Sequence, residues 1–460
     1  MVMNAMKFGG TSLANPETIK RCAELVEREI KLTGNRPVVV VSAYAKITDK
    51  LLDAARMAVK GQHQKRCKEI FKRHKDIVKG LGLSERLCSE LLDELKDLLR
   101  GIQMVREVTP RLYDHVASFG ERLSARTFAA LLKKRGFKGA EAFDSFDLGF
   151  RTDSRFMNAR PAPDINQRIA DAFKPHRKKL PVITGFIGKD VNGDITTIGR
   201  SGSDYTASIF GAALGCDEIQ VWKDVPGVMT CDPSLIKGAR PLGRLSFAEA
   251  SELAYYGAEV LHPATMIPAM KKNVPVRVLH TFDPDAPGTT ITPKGVMDAK
   301  HPVKCIVYKE DQVLINVRSE RMLGMEGFMA RLFNMMERHH VVIDMISTSE
   351  VSVSLTTNGT DKGGLADLRR DLESMLKDLD PKSKVKTDVQ RDKTIVAIVG
   401  EGMKNSVGLA SRAFKAISVA GVSIQMISQG ASEINITFLI DNKEIPPVVN
   451  ALHDEFFPEN

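Results

Sequence analysis

The segment from Thr184 to Ser208 contains the residue types best suited to chemistry in this sequence. Within it, Gly199-Arg-Ser-Gly-Ser-Asp204 places an arginine and an aspartate in a glycine-rich turn, between a predicted buried strand and an apolar helix predicted to end at Gly215. Because such a turn directs backbone N–H groups toward one point, it favours a phosphate or carboxylate ligand. Many glycine-rich turns only reverse the chain. The turn alone therefore supports anion binding and a purely structural role about equally well.

Glycines also follow the first predicted strand. Lys7-Phe-Gly-Gly-Thr-Ser12 ends an apolar segment, and an amphipathic helix follows with Asn15 as its predicted N-cap and Pro16 at its first position. The β-branched run Pro37–Ser42 is typical of a buried parallel strand. This order of strand, turn, helix and strand resembles a phosphate-binding arrangement. It is not a P-loop, because the pattern GxxxxGKS or GxxxxGKT is absent and Lys7 precedes the glycines.

A third candidate is the carboxylate of Glu121, in the segment Phe119–Ser124. We expect its Gly-Glu pair to lie at the start of a helix. There the carboxylate can bind a substrate amine, or it can simply interact favourably with the helix dipole. The residues alone favour the second role.

Composition indicates a globular protein with more than one domain. The 460 residues are 43% hydrophobic and 27% charged, and a chain of this length usually forms about two to three domains. No apolar run is long enough to cross a bilayer, and the N-terminus lacks a secretory signal pattern, so we expect no membrane partner. The six scattered cysteines lack metal-ligand spacing, which indicates reduced thiols in the cytoplasm or an organelle stroma, with the cytoplasm favoured.

The formal net charge of +9 does not by itself indicate nucleic-acid binding. Basic runs such as His176–Lys179 and Lys382–Lys386 are short and lack interleaved aromatic residues, so solvated surface is the better interpretation. A basic balance also suits a protein that binds nucleotides and dicarboxylates.

Predicted strands and helices alternate up to a domain boundary near residue 295. The Asn192-Gly193 pair predicts a hairpin just before the glycine-rich turn. Alternation on this scale predicts a mainly parallel α/β sheet with helices on both faces.

The C-terminal third contains an internal repeat. Gly327–Phe333 matches Gly408–Phe414, and Ile343–Ser347 matches Ile424–Ser428, at the same offset of 81 residues. Each copy reads as a ferredoxin-like βαββαβ unit. One interpretation is that the two units only mediate dimerisation. Their attachment to an α/β domain favours a ligand-sensing function instead.

Eight motifs occur in the order found in aspartate kinases. They are Lys7–Ser12, Val41–Ala43 with Thr48, Phe119–Arg122, Thr184–Phe186, Gly199–Asp204, Trp222–Val225, Cys231–Pro233 and Val260–Ala264. On these motifs the chain resembles the aspartate kinases (aspartokinases) of the amino acid kinase family, and the repeat resembles their tandem ACT domains. The resemblance implies a catalytic domain at residues 1–295 and ACT domains at 303–388 and 389–460. Because no GxGxxG motif or Rossmann domain follows, we expect a monofunctional enzyme.

The resemblance implies ATP-dependent phosphorylation of the β-carboxylate of L-aspartate to 4-phospho-L-aspartate, the first step of lysine, threonine and methionine biosynthesis. Mg²⁺ would be held mainly by the ATP phosphates and water, without a dedicated protein metal site. Catalytic roles are implied for Lys7, which meets the transferring phosphoryl oxygens, and for Asp204, which organises the reacting groups.

The remaining site residues are assigned by the same resemblance. Those implied to bind substrate are Thr48, Glu121, Arg200 and Ser203, with Glu121 on the substrate ammonium and Arg200 on a substrate carboxylate. Those implied to bind ATP are Lys7, Gly9, Gly10, Ser12, Lys223, Asp224, Met229 and Ser234.

Three residues depart from the usual pattern of the family. Ser201 replaces the first of two glycines, so the turn can be tighter or differently directed. Lys46 stands where many members have glycine, although plant-type members also carry lysine. Glu259 replaces a common lysine and, as a carboxylate, cannot assist nucleotide phosphate.

Feedback regulation by an end-product amino acid is also implied, with lysine favoured over threonine. The predicted effector pocket consists of Met322, Phe328, Met329, Ile343, Asp344, Ser349, Glu350 and Val351. Asp344 is the natural partner of a lysine side chain, although it can also be a turn residue before a strand. The second repeat has the uncharged Gln425 there, so we expect sensing by the first repeat. Paired ACT domains imply a homodimer or homotetramer.

Two other functions remain open at this level. One is a different acyl-phosphate-forming kinase of the same fold, acting on glutamate or acetylglutamate, against which the tandem ACT units argue. The other is a catalytically impaired amino-acid sensor, suggested by Ser201 and Glu259. The presence of Lys7, Glu121, Arg200 and Asp204 argues against that second alternative.

Overall fold

A computed structural model of the chain describes residues 3–258, 261–296, 301–318, 326–359, 362–379, 386–404, 406–430 and 434–458. Two compact units are present. The first unit comprises Met1–Val228, Pro241–Ser251 and Glu259–Val296. The second unit comprises Met229–Arg240, Glu252–Ala258 and Met297–Asn460. The domain bounds 1–295, 303–388 and 389–460 stay predictions.

The first unit is built on an eight-stranded sheet with the order β3-β4-β2-β1-β7-β9-β10-β8. Strands β9 and β10 pair antiparallel, whereas the other neighbours pair in parallel, which confirms the predicted mainly parallel sheet. The strands, together with the separate β5-β6 hairpin, are β1 (Asn4–Phe8), β2 (Val38–Val41), β3 (Ala140–Phe143), β4 (Leu180–Thr184), β5 (Ile187–Lys189), β6 (Ile195–Thr197), β7 (Glu218–Lys223), β8 (Arg244–Ser246), β9 (Val276–His280) and β10 (Thr289–Thr292).

Helices flank this sheet. They are α1 (Pro16–Thr33), α2 (Ile47–Val59), α3 (Gln64–Gly80), α4 (Ser89–Val105), α5 (Pro110–Lys134), α6 (Ile165–Phe173), α7 (Gly202–Leu214), α8 (Phe247–Tyr255) and α9 (Pro263–Lys272). Helix α8 is divided, since its residues from Glu252 onward belong to the second unit. Helix α1 begins as predicted, since the Asn15 side chain accepts hydrogen bonds from two backbone N–H groups and Pro16 stands in the first turn. The hairpin at Asn192-Gly193 is confirmed by the antiparallel pairing of β5 with β6.

Helix α5 corrects one expectation. The Gly120-Glu121 pair lies in the middle of this 25-residue helix and not at its start. Glycine inside a helix costs roughly 1 kcal/mol relative to alanine, so its presence needs a packing reason. A Cβ at position 120 would lie 2.7 Å from the Cβ of Ala43. The glycine therefore lets α5 approach the segment after β2 closely.

The second unit contains a six-stranded sheet with the order β12-β13-β11-β14-β16-β15. Its strands are β11 (Cys305–Arg318), β12 (Ile343–Thr348), β13 (Ser352–Asn358), β14 (Lys386–Val399), β15 (Met426–Ser428) and β16 (Asn435–Asp441). Its helices are α10 (Phe328–Arg338), α11 (Lys362–Leu379), α12 (Leu409–Val419) and α13 (Ile445–Phe456). The long strands β11 and β14 pair antiparallel and run through both halves of the sheet.

The internal repeat is visible in the way its helices begin. Gly327 precedes α10 with φ 79°, and Gly408 precedes α12 with φ 82°, so both glycines adopt the left-handed conformation that favours glycine. Each helix then packs into its own apolar cluster, around Leu332 in the first copy and Ile417 in the second. No helix among the described residues is both long and apolar enough to cross a membrane.

Candidate active site

A cavity of about 460 Å³ in the first unit brings together most of the predicted catalytic and substrate residues. It is lined by the end of β1, the segment after β2, the start of α2, the middle of α5 and the turn before α7. The predicted residues in its lining are Lys7, Gly10, Thr48, Glu121, Arg200, Ser203 and Asp204.

Two lysines converge on Asp204 at the start of α7. Lys7 Nζ lies 2.5 Å from Oδ1, and Lys223 Nζ lies 3.5 Å from Oδ2. Lys7 and Asp204 are 5% and 3% exposed, so their charges are largely removed from water. Burial alone would raise the pKa of Asp204, but the two ammonium groups hold it below its ordinary value. Burial lowers the pKa of Lys7 against the opposing charge of Asp204.

Glu121 presents a carboxyl group to the cavity from the middle of α5. Its Oε1 accepts a hydrogen bond from the Ala43 N–H at 3.1 Å. Its Oε2 is buried and has no hydrogen-bond partner among the described residues. Burial raises the pKa of Glu121 to about 8. The Glu121 carboxyl group is therefore suited to bind a cation, whose positive charge favours the ionised form of the carboxyl.

The turn before α7 carries the first departure from the family pattern. Ser201 has φ 53° and ψ 23°, a left-handed conformation that costs a non-glycine residue roughly 1–2 kcal/mol. Gly202 follows it in close packing, since a Cβ there would lie 2.7 Å from the ring of Phe186. Arg200 is exposed at the cavity rim and makes no ion pair within the described ranges. Its guanidinium is thus available to an anion.

Lys46 is the second departure and shares this backbone conformation. It precedes α2 with φ 62° and lines the same cavity. Thr48 follows in the first turn of α2, where backbone N–H groups lack partners inside the helix. Both departures therefore occur at turns that start a helix beside the cavity.

Only some of the residues predicted to bind ATP lie at this cavity. Gly9 is close to Lys7, since a Cβ on it would lie 3.6 Å from Nζ. The hydroxyl of Ser12 is buried against Thr281 Oγ1 at 2.7 Å, which indicates a structural role for that hydroxyl. Asp224 is exposed after β7. Met229 and Ser234 belong to the second unit, so their role stays a prediction, and Glu259 lies outside the described residues.

Asp114 is a cavity residue that the sequence reasoning missed. Its buried carboxylate accepts hydrogen bonds from the N–H of Met157 at 2.8 Å, and from the N–H and Oγ1 of Thr197 at 2.9 and 2.6 Å. It therefore ties α5 to two segments that line the cavity. The available signal was its spacing, because a residue seven positions before Glu121 lies on the same helix face.

The predicted effector residues lie around β12 in the second unit. Phe328 and Met329 open α10, Ile343 opens β12, and Ser349, Glu350 and Val351 form the turn to β13. Asp344 lies inside β12 and is not a turn residue. Its Oδ1 accepts hydrogen bonds from Lys309 Nζ and the Tyr255 hydroxyl, each at 2.8 Å.

Met322, the remaining predicted effector residue, lies outside the described residues.

Comparison with known proteins identifies the family. The pattern of the amino acid kinase family matches residues 3–280, and that of the ACT domain matches residues 315–363 and 396–456. Aspartokinase 1, chloroplastic, of Arabidopsis thaliana is 40% identical over 98% of this chain and 80% of that protein. The chain belongs to the aspartokinases of the amino acid kinase family. It is therefore an enzyme of the kinase class.

Solved structures of the family agree with the fold. The aspartokinase III of E. coli in complex with aspartate and ADP (R-state) has a TM-score of 0.84 and 30% identity, over 99% of this chain and all of that one. The same E. coli protein in complex with lysine and aspartate (T-state) has a TM-score of 0.75 and 31% identity, over 99% of both chains. The fold prediction, an amino acid kinase fold followed by ACT domains, is confirmed.

Proposed function

We propose that this aspartokinase transfers the γ-phosphoryl group of ATP to the β-carboxylate of L-aspartate and forms 4-phospho-L-aspartate. The observation that carries the proposal is the single cavity in which the buried pair Lys7–Asp204 lies with Glu121 and Arg200. Lys7 would neutralise phosphoryl charge, and Glu121 and Arg200 would bind an amino acid. The E. coli relative bound to aspartate and ADP supports the same pair of ligands.

The amino acid would be held by complementary charges. Arg200, exposed at the rim, pairs with the α-carboxylate in a bidentate manner. The open Oε2 of Glu121 receives the ammonium. Thr48 and Ser203, both in the cavity lining, supply hydroxyl groups to the remaining carboxylate oxygens. This arrangement directs the β-carboxylate toward Lys7.

Phosphoryl transfer requires mainly positioning and the neutralisation of developing negative charge. Lys7 supplies a positive charge in a water-poor site, where electrostatic stabilisation is strongest. Asp204 holds Lys7 and Lys223 in place through two ion pairs. The carboxylate acceptor is already ionised near neutral pH, so no residue is needed as a general base for the transfer.

The nucleotide would be bound by residues at the ends of β1 and β7 and in the segments that follow these strands. Within the first unit these would be Lys7, Gly9, Gly10, Ser12, Lys223 and Asp224, and the roles of Met229 and Ser234 in the second unit stay predictions. Among the described residues no cluster of three or more His, Cys, Asp or Glu side chains could hold a metal ion. Mg²⁺ would enter with ATP, bound by phosphate oxygens and water, and would offset the charge of the phosphates.

Regulation by an end-product amino acid completes the proposal, with lysine favoured. The support is Asp344, a carboxylate whose side chain is only 1% exposed, at the position predicted to receive a lysine ammonium. The E. coli protein solved with lysine supports the same effector class. The reaction would then begin lysine, threonine and methionine biosynthesis, and the ACT units would join a homodimer or homotetramer. A cytoplasmic location stays a prediction, because the Arabidopsis relative is named chloroplastic.

A hydroxylamine trap tests the proposed reaction. The protein is incubated with Mg-ATP, hydroxylamine and aspartate, and aspartyl hydroxamate is expected. Parallel reactions contain glutamate or acetylglutamate in place of aspartate. Faster product formation with either of these would reassign the substrate. Absence of any hydroxamate from folded protein, together with tight lysine binding, would replace the kinase proposal with a sensor.

A further inference from the structure

Asp344 is already held by a lysine of its own chain. Lys309 Nζ and the Tyr255 hydroxyl both donate to Oδ1, and Lys309 Nζ lies 5.0 Å from the centroid of the Tyr255 ring. The other carboxylate oxygen, Oδ2, is buried without a hydrogen-bond partner among the described residues. One oxygen of Asp344 therefore accepts two hydrogen bonds, and the other accepts none from the described residues.

The position of Lys309 on β11 is irregular. The pairing of β11 with β14 shifts register between Lys309 and Gln312, and Asp311 has φ 57°. The Lys309 side chain is 20% exposed, so it is neither a freely solvated surface lysine nor a sealed one. Its ammonium can therefore reach Asp344 and still has a route to water.

Among the described residues of the second repeat, this arrangement is absent. At the position equivalent to Asp344, Gln425 donates from Nε2 to Asp441 Oδ1 at 2.9 Å. Lys393 pairs with the same Asp441 oxygen at 2.5 Å. The carboxylate there stands on β16, and its neighbour Gln425 is neutral. The first repeat therefore differs from the second at this position. Its Asp344 carboxylate is buried, with one oxygen bound by Lys309 and the other without a hydrogen-bond partner among the described residues.

We propose that Lys309 is a built-in competitor of a free lysine effector for the carboxylate of Asp344. This inference rests on the proposed lysine regulation. Two ammonium groups on one buried carboxylate repel each other, and repulsion is strong where water is excluded. An incoming lysine side chain therefore gains the full attraction of Asp344 only when Lys309 leaves for solvent. Lys309 would set the concentration at which the effector acts, with Tyr255 keeping the carboxylate oriented.

Lysine titrations of three full-length variants test the inference. Lys309→Met removes the charge but keeps most of the side-chain length, Lys309→Arg keeps the charge, and Lys415→Met changes an exposed lysine on α12. Kinase activity is normalised to the lysine-free rate of each variant, and lysine binding is measured separately by calorimetry. The half-inhibitory lysine concentration should fall about tenfold or more in Lys309→Met, because one like charge has been removed. The other two variants should resemble the unmodified protein.

Norleucine distinguishes charge from space. It has the shape of lysine without the terminal ammonium, so Lys309→Met should not gain affinity for it. The melting temperature of Lys309→Met should also rise more with added lysine than that of the unmodified protein, because the effector restores a counter-charge to Asp344. Equal gains for norleucine and lysine would mean that the substitution only opened space, and would overturn the inference.

The two levels of the proposal fail differently. If the unmodified protein responds to lysine and Lys309→Met responds at the same or a higher concentration, the competitor role is wrong and lysine regulation stands. If the unmodified protein and Lys309→Met are active but neither binds lysine, the effector proposal is wrong and the inference falls with it. If only Lys309→Met binds lysine, the competitor role is supported in its strongest form.

Discussion

Lys7 and Asp204 form a buried ion pair, and the partly exposed Lys223 is a second cation beside the same carboxylate. Asp204 is the common partner, at 2.5 Å from Lys7 and 3.5 Å from Lys223. In the proposed mechanism, Lys7 interacts with charge that appears only as the phosphoryl group transfers. Interactions of that kind raise the turnover number more than they strengthen ground-state binding.

The substitution Lys7→Ala tests this role. Turnover should fall by on the order of 10²–10³, as is typical when one electrostatic stabiliser is removed. ADP affinity should change far less, since Lys223 remains to neutralise Asp204. Steady-state kinetics and ADP calorimetry together provide the measurement. A parallel loss of turnover and ADP affinity would mean that Lys7 only binds nucleotide.

Glu121 predicts a pH dependence of substrate binding. Burial raises its pKa to about 8, so below that pH the carboxyl group is largely neutral and lacks the charge that attracts the substrate ammonium. The KM for aspartate should therefore decrease as pH rises from 6.5 to 8.5. Glu121→Gln should bind aspartate weakly with no such decrease. An unchanged pH profile in the variant would assign the titration to another group.

Two kinds of backbone position determine how the elements around the cavity pack: a glycine inside a helix, and residues with left-handed φ directly before a helix. Mid-helix Gly120 lets α5 approach Ala43, whose N–H is the partner of Glu121. Left-handed Ser201 and Lys46 precede α7 and α2, and both line the cavity. Position 120 favours glycine, because an added Cβ would meet Ala43, and the other two positions bear conformational strain.

Gly120→Ala should misplace Glu121. The added methyl group would meet Ala43 at 2.7 Å, and overpacking of this kind usually costs about 1–3 kcal/mol. The aspartate KM should rise, because Ala43 carries the N–H that holds Glu121. Gly101→Ala in α4 is the matched control, since nothing lies within 4 Å of its added Cβ, and it should stabilise the protein by up to about 1 kcal/mol. Equal effects of the two changes on KM would contradict the packing argument.

Ser201→Gly tests how the turn before α7 is tuned. Glycine removes the left-handed strain at φ 53°, so folding stability should change little or rise by up to about 1 kcal/mol. The freer turn should hold Arg200 less firmly and raise the aspartate KM a few-fold. Thermal unfolding and steady-state kinetics measure the two effects. A lower KM would show instead that serine directs the turn away from its best geometry.

At the scale of the whole molecule, the predicted substrate residues and the central residues of the proposed effector site lie in different units. The substrate set lies within the first unit, and Asp344 with its partners Lys309 and Tyr255 lies within the second. Because none of the proposed catalytic residues is shared with the effector set, the two functions should be separable by mutation.

Asp344→Ala is the test of that separation. It should abolish or strongly weaken lysine inhibition, because the buried counter-charge for the effector ammonium is lost. The aspartate and ATP kinetics measured without lysine should remain near those of the unmodified protein. Inhibition curves with lysine and with threonine provide the measurement. Unchanged lysine inhibition would mean that the pocket or the effector is misassigned.

Local signals in the sequence determined a large part of this description. The alternation of strands and helices, the Asn15 cap and the Asn192-Gly193 hairpin depend on neighbouring residues, so they can be read along the chain. The order of the motifs indicated the family, and the repeat indicated the ACT domains, both of which the comparisons confirmed. These features depend on short-range geometry and on residue type.

Only the tertiary structure decided which distant residues share an environment. It placed Gly120 inside a helix against Ala43, and it joined Asp114 to Thr197 across 83 residues. It also gave Asp344 two partners that are 35 and 89 residues away, at Lys309 and Tyr255. Such contacts depend on how elements pack, and burial of the whole site shifts the pKa of Glu121. Neither packing nor burial is encoded in any single stretch of sequence.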